Sequence, residues 1–264
     1  MTKKDNLNEL WINVGKYRTR FIAKGVGQPL ILVHGLGSSL ETWKHNIDYF
    51  SNYFRVYALD MLGFGFADKP RIDYKIDIFV EFLKDFLDAL KLYSVNLIGN
   101  SLGGLIALLF SLKYESRVNK LILESASGLE TEARDIIKSF MGDWWTLSKI
   151  KNFYKIVYYR PIIDEKTLES RFELINNPDA KYAYISTLNM PRDWADLPEK
   201  LKAFKKQTLI IWGKNDKIIP VKYAYEYHRL IENSKLVIFD ETGHVPHAEK
   251  PEEFNKVVVD FLIR

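Results

Sequence analysis

The chain contains no cysteine among its 264 residues, which excludes disulfide bonds, thiolate metal sites and a cysteine nucleophile. It also has little excess charge: 38 Lys plus Arg oppose 34 Asp plus Glu, and a net charge of +4 does not favour nucleic acid as a partner. No apolar run approaches the roughly 18 residues of a membrane span. No signal-peptide pattern follows the first lysines, so we expect a cytoplasmic protein without a membrane span.

Short apolar segments recur along the chain and alternate with helical patterns. Hydrophobic residues make up 47% and charged residues 27%, the balance of a folded globular protein. Uninterrupted apolar runs are typical of strands buried on both faces of a parallel sheet. A hairpin at 10–22 precedes six such runs, at 29–33, 54–59, 95–98, 118–123, 208–212 and 236–239. The sequence therefore predicts an α/β fold, with a mostly parallel twisted sheet and helices on both faces.

One long segment interrupts this alternation. Residues 129–206 contain helical patches but no convincing strand, and they hold Trp144, Trp145 and Trp194. We predict that 129–206 is a helical cap, here called the cap segment, over the end of the sheet. Residues 1–128 and 207–264 would then form the core domain.

The motif G-x-S-x-G at 99–103 is the most specific chemical feature of the sequence. Ser101 stands at its centre, between a short predicted strand and a wholly apolar predicted helix. A tight strand-to-helix turn lifts a serine hydroxyl out of a sheet, and it needs glycines because side chains would clash there. The sequence therefore indicates that Ser101 is a nucleophile.

A second glycine-containing loop, HGLG at 34–37, follows the first predicted core strand. Acyl transfer needs two backbone N–H groups that face the developing oxyanion. We predict that Leu36, in this loop, and Leu102, which follows the nucleophile, supply them.

A serine nucleophile needs a base and an acid that orients it. Asp216 and His244 each follow a predicted strand, at the sheet edge that also carries Ser101, and the chain order Ser, Asp, His suits a triad of this type. Glu124 is a rival acid, and Asp216 could instead begin a helix after Pro220.

Two further patterns are rejected as sites. His244 and His247 lie in a Pro-containing loop without a third ligand, so we predict no metal site and no catalytic role for His247. Gly63 and Gly65 follow a strand but lack the third glycine of a dinucleotide fingerprint, and we predict no cofactor.

Together these motifs resemble the α/β-hydrolase fold superfamily, from about residue 10 to the end of the chain, apart from the cap segment. The matching pieces are HGLG at 34–37, D-x-x-G-x-G at 60–65, GNSLGG at 99–104, WGxxD at 212–216 and GH at 243–244. Within the superfamily, serine carboxylesterases are the commonest holders of the set. C–C bond hydrolases of aromatic ring-cleavage products are also similar: they tend to carry Asn before the nucleophile, as Asn100 does here, and an Arg in the cap that meets a substrate carboxylate.

Arg171 lies in a comparable stretch of the cap segment, although Glu169 and Glu173 beside it also suit a solvated helix face. Two features depart from the C–C hydrolases: GSS at 37–39 lacks their extra Gly and Pro, and Val245 stands where they usually have Trp. Residues predicted to contact substrate are Asn100, Trp144, Trp145, Arg171 and Val245.

The resemblance implies a serine hydrolase that cleaves small carboxylic acyl esters through a covalent acyl-enzyme. The alternative is a C–C bond hydrolase of a meta-cleavage dienoate, which would use the same triad with Arg171. A third possibility is a small-molecule receptor of this fold. The oligomeric state is left open.

Overall fold

A computed structural model of the protein describes residues 9–130, 132–141, 146–161 and 165–264. The strands are β1 (Glu9–Val14), β2 (Tyr17–Lys24), β3 (Pro29–Val33), β4 (Arg55–Leu59), β5 (Val95–Asn100), β6 (Val118–Glu124), β7 (Thr208–Gly213) and β8 (Ser234–Phe239). The helices are α1 (Ile47–Phe50), α2 (Ile76–Ala89), α3 (Leu102–Lys113), α4 (Ala133–Met141), α5 (Leu147–Val157), α6 (Glu165–Asn176), α7 (Pro178–Leu188), α8 (Leu197–Ala203), α9 (Lys222–Leu230), α10 (Pro246–Glu249) and α11 (Pro251–Ile263). Short 3₁₀ turns occupy Leu40–Trp43 and Glu115–Arg117.

The strands form one eight-stranded sheet in the order β1-β2-β4-β3-β5-β6-β7-β8. β2 pairs antiparallel with both β1 and β4, and every pair from β4 to β8 is parallel. The predicted α/β fold is confirmed, including the hairpin and the six later strands. The carboxyl ends of the parallel strands share one edge, where ligands bind in open α/β sheets.

The centre of the sheet is buried on both faces, which explains why β3 is apolar without interruption. Ile31 and Val33 of β3 pack with α2 and α3 on one face, whereas Leu30 and Leu32 pack with α1 and α11 on the other. Successive side chains of a strand point to opposite faces, so a strand covered on both sides needs an apolar residue at every position.

Five helices, α4 to α8, lie between β6 and β7, and the described residues of this part contain no strand. Trp194 is buried and donates its indole N–H to the carbonyl of Gly128 at 3.0 Å, so the end of the cap segment packs on the core. Trp144 and Trp145 lie outside the described residues. The domain boundaries at 129 and 206 remain predictions. Among the helices described, none is long and apolar enough to cross a membrane.

Candidate active site

Ser101 occupies the sharp turn between β5 and α3. Its backbone has φ 56° and ψ −119°, in the region that an L residue rarely adopts, and such strain is a known feature of nucleophilic turns. The turn requires glycine on both sides: a Cβ at Gly103 would meet the carbonyl of Val33, and one at Gly99 would meet the backbone of Gly103. The glycines of the motif therefore allow the backbone approach that holds Ser101 at the sheet edge.

The N–H of Leu102, at the start of α3, can face an anion beside Ser101. The N–H of Ser101 donates to the carbonyl of Glu124 at 3.0 Å, so it is already used. Leu102 is the first residue of α3, and the first N–H groups of a helix have no intrahelical acceptor. Leu36 lines the cavities beside Ser101. This placement suits the predicted role of Leu36 and Leu102 as the oxyanion donors. The assignment itself stays a prediction.

His244 and Asp216 form a buried hydrogen-bonded pair. Nδ1 of His244 lies 2.7 Å from Oδ2 of Asp216, and Oδ1 of Asp216 accepts the N–H groups of Ile218 and Ile219 at 2.8 and 2.9 Å. A carboxylate has no proton to donate, so Nδ1 carries the proton and Nε2 is left as the basic nitrogen. Asp216 thus holds His244 in the tautomer that a base needs.

Burial and the neighbouring Asp216 shift the pKa of His244 in opposite directions. Burial alone would lower its pKa, but the charge and the hydrogen bond of Asp216 outweigh burial and raise the pKa above the ordinary 6.5. The imidazolium that forms when His244 takes a proton is therefore stabilised.

The rival acid Glu124 belongs to a second pair. Its carboxylate lies 2.8 Å from Nδ1 of His247, and both side chains are fully buried. Nε2 of His247 faces the hydroxyl of Thr42 at 2.8 Å, and its ring lies against Trp43 with centroids 4.2 Å apart. His247 is thus engaged by protein groups, and no cluster of three metal-ligating residues occurs in the described part of the chain.

A cavity of about 110 Å³ opens above Ser101. Its walls include the predicted residues Ser101, His244, Asn100, Arg171 and Val245. Its other walls come mainly from the cap segment and are largely apolar or aromatic: Ile137, Ile150, Phe153, Tyr154, Tyr158, Ile175 and Tyr184. Asn100 also donates to the carbonyl of His244 at 3.2 Å, so it ties the loop of His244 to the turn that carries Ser101.

Arg171 points into this cavity, so the alternative of a solvated helix face is wrong. Its Nε lies 3.1 Å from the hydroxyl of Tyr154, and its Nη2 lies 3.0 Å from the hydroxyl of Ser38. Among the described residues no carboxylate comes within ion-pair distance of Arg171, whereas Arg160 and Arg192 of the cap segment pair with Glu241 and Glu130. Among the described residues the guanidinium is thus held by neutral groups at the cavity wall, and the charge of Glu41 acts on it only from beyond ion-pair distance.

Ser38 and Tyr154 were not among the predicted site residues. Ser38 belongs to the GSS stretch at 37–39, and it supplies a hydroxyl to Arg171. Tyr154 of α5 and Tyr158, the residue that follows this helix, stack with centroids 5.5 Å apart. This i, i+4 spacing is the only signal that could have placed them on one face.

The alpha/beta hydrolase fold family matches residues 28–153 and 145–251. The chain belongs to this family. It is 33% identical to a 2-hydroxy-6-oxo-6-(2'-aminophenyl)hexa-2,4-dienoic acid hydrolase of Metapseudomonas resinovorans, over 97% of this chain and 91% of that protein. It is 32% identical to a 2-hydroxy-6-oxo-2,4-heptadienoate hydrolase of Pseudomonas putida, over 94% of both chains.

Solved structures agree with these relatives. A serine hydrolase involved in carbazole degradation has a TM-score of 0.87 at 32% identity, with 97% of this chain and 99% of that chain covered. A meta-cleavage product hydrolase from Pseudomonas fluorescens has a TM-score of 0.87 at 28% identity, with 96% and 97% covered. The prediction of an α/β-fold hydrolase is confirmed. The finer expectation of a carboxylesterase is not supported, because these two relatives are named as hydrolases of a dienoic acid and of a dienoate.

Proposed function

We propose that this hydrolase cleaves a carbon–carbon bond in a 2-hydroxy-6-oxo-dienoate, a ring-cleavage product with a carboxylate at one end. The observation that carries the proposal is Arg171, a cation without an ion-pair partner among the described residues, at the wall of the cavity that also holds Ser101 and His244. The names of the relatives support the same substrate class. This replaces the ester substrate that we expected from the sequence.

A buried carboxylate is costly unless a cation and hydrogen-bond donors meet it. An ester substrate needs only the triad, the oxyanion donors and an apolar pocket, so Arg171 would have no role in binding it. A dienoate carries the anion that the guanidinium lacks, and arginine binds carboxylates through two parallel N–H groups. Ser38 and Tyr154 hold the guanidinium without neutralising it. The site is therefore prepared for one anionic end of a substrate.

The cavities around Ser101 suit a substrate that is cut near its middle. A second cavity, of about 70 Å³, shares Ser101, Leu36 and Ile137 with the first. Its walls combine apolar residues, among them Leu105 and Trp194, with the charged residues Glu130, Arg134 and Arg192. The carboxylate end would lie against Arg171 in the first cavity. The acyl group beyond the 6-oxo carbon would lie in the second.

The triad can carry out this cleavage as an acyl transfer. Ser101 attacks the 6-oxo carbon while Nε2 of His244 takes the hydroxyl proton, and the N–H groups of Leu36 and Leu102 hold the oxyanion, each contributing about 3–4 kcal/mol in comparable sites. The bond between C5 and C6 then breaks, its electron pair moves along the leaving chain to the oxygen at C2, and that oxygen takes up the proton from His244, which gives the 2-hydroxydienoate. Water hydrolyses the acyl-enzyme to a carboxylic acid and restores Ser101.

Carbon is a poor leaving atom, so its electron pair must be delocalised. In the keto tautomer of the substrate, the pair is conjugated through the chain to the oxygen at C2, next to the carboxylate. Arg171 would lie beside the end where this charge develops. A positioned cation there lowers the barrier as well as binding the ground state.

The direct test is to supply the purified protein with a 2-hydroxy-6-oxo-dienoate and with 4-nitrophenyl butyrate, and to identify the products. We expect the dienoate to give a carboxylic acid and a 2-hydroxydienoate, with a higher kcat/KM than the ester. Ser101→Ala measures the uncatalysed background. Efficient ester turnover without dienoate cleavage would refute the proposal, and tight dienoate binding without turnover would favour a receptor.

A further inference from the structure

Glu249, at the end of α10, joins the loop that carries the base to the cap segment. Its Oε1 accepts the N–H groups of Gly243 and Val245, on either side of His244, at 2.8 and 3.4 Å. Its Oε2 accepts the N–H of Tyr159, just after α5, at 2.7 Å. One carboxylate therefore holds two parts of the chain that are about ninety residues apart.

A second bond joins the same two parts at the base itself. The N–H of His244 donates to the carbonyl of Val157 at 2.7 Å. Val157 is the last residue of α5, where carbonyls have no intrahelical donor, so His244 satisfies a group that the helix leaves open. The two backbones lie so close that a Cβ at Gly243 would come within 2.9 Å of the N atom of Tyr159.

No charge pairing explains why Glu249 is present. Among the described residues no Lys or Arg lies within ion-pair distance of it, and Lys250 beside it faces Glu253. Burial raises the pKa of Glu249 despite its three N–H donors, so this position is a costly one for a carboxylate. The hydrogen bonds that Glu249 accepts from the loop of His244 and from Tyr159 offset this cost.

The segment that Glu249 holds also carries a contact to the cation of the site. Tyr154, one turn before Val157 on α5, binds Arg171 through its hydroxyl. The end of α5 therefore contacts Arg171 on one side and the loop that carries His244 on the other. A displacement of this helix end would move both groups together.

We propose that Glu249 is a positioning residue: it fixes His244 against the end of α5, so that the base is aligned only when the cap segment is seated at residues 157–159. The inference depends on the triad and not on the identity of the substrate. Misplacing a catalytic group by about 1 Å can cost on the order of 100-fold in rate, so a hydrogen-bonded link of this kind has a measurable effect.

Glu249→Gln tests the link with little change of shape. A glutamine has one oxygen, so it can accept from the loop or from Tyr159, and its NH₂ group faces the N–H that remains. Glu252→Gln is the matched control, because Glu252 is an exposed carboxylate on α11 and the change removes the same charge.

The measured quantities are the rate at which a fluorophosphonate labels Ser101, and kcat and KM for whichever substrate, dienoate or butyrate ester, the wild type turns over. We expect Glu249→Gln to lower the labelling rate and kcat by about 10- to 100-fold with KM within about threefold, in protein that circular dichroism shows to be folded. Glu252→Gln should match the wild type. Rates for Glu249→Gln within about threefold of the wild type would overturn the proposal.

A second pair of variants tests the bond between Glu249 and Tyr159 from the cap segment. If Glu249→Gln does not fold, this pair alone tests the proposal. Tyr159→Pro removes the N–H that binds Glu249, and Tyr159→Ala removes the same ring but keeps the N–H. Tyr158 has φ −101° and ψ 146°, the extended conformation that a residue before proline adopts. We expect labelling to be at least about tenfold slower in Tyr159→Pro than in Tyr159→Ala. Equal rates in the two would contradict the link.

Discussion

Asp216→Asn is the substitution that distinguishes the two buried acid–histidine pairs. In the wild type, Oδ2 of Asp216 accepts from Nδ1 of His244 at 2.7 Å, while Oδ1 accepts from Ile218 and Ile219. An asparagine can keep the two backbone bonds through its oxygen, so the loop should stay in place. Its NH₂ group then faces Nδ1 and donates to it, which forces the proton of the imidazole onto Nε2.

The magnitude follows from this change of tautomer. With a proton on Nε2, His244 cannot accept the proton of Ser101, and the lost negative charge no longer stabilises the imidazolium. Loss of the acid in a comparable triad lowers kcat by about 10⁴-fold, which is about 5.4 kcal/mol of transition-state stabilisation. We expect a loss of that order for Asp216→Asn, with little change in the melting temperature.

The assay is kcat at saturating substrate, with Glu124→Gln measured beside it. Glu124 binds His247 and not His244, so Glu124→Gln should lower the melting temperature but retain activity within about tenfold while the protein is folded. A mild effect of Asp216→Asn together with a severe effect of Glu124→Gln would refute the assignment of the acid.

Three further outcomes are expected. A fluorophosphonate should label the wild type at Ser101 alone, and mass spectrometry of Ser101→Ala should show no adduct; labelling of another residue would contradict the nucleophile. Because Asp216 raises the pKa of His244 and only neutral imidazole accepts a proton, kcat/KM should fall as the pH drops through a midpoint above 6.5, and a profile flat from pH 5 to 8 would count against this base. His247→Ala should leave the carboxylate of Glu124 buried without its partner and lower the free energy of unfolding by about 3–5 kcal/mol in urea titrations, whereas an unchanged unfolding midpoint would contradict the buried pair.

The fold and the sharp turn at Ser101 could be predicted because local sterics determine them. Residues 30–33 are all apolar because both faces of β3 are covered, and the glycines around Ser101 are needed wherever a strand turns so sharply into a helix. Asp216 and His244 followed from strand ends that must share one edge of a parallel sheet.

The substrate class could not be predicted with the same certainty, because it depends on how the cap segment lies over the sheet. Glu169 and Glu173 make the sequence around Arg171 look like a solvated helix, and only the packing of α6 against α5 turns Arg171 towards Tyr154 and Ser38. No local pattern encodes such a direction. The same holds for the bond between Glu249 and Tyr159, which are brought together by the tertiary fold.

The role of Arg171 is the central claim, and its most direct test is kcat/KM for the dienoate in Arg171→Ala. Arg160→Ala is the control, since Arg160 is an exposed arginine of the same cap segment, 72% exposed and paired with Glu241. Removing one partner of a buried charge pair costs about 2–5 kcal/mol, so we predict that Arg171→Ala loses about 100-fold or more on the dienoate and less than about threefold on the butyrate ester, with Arg160→Ala unchanged on both. Equal effects of Arg171→Ala on the two substrates, or none on the dienoate, would contradict the account.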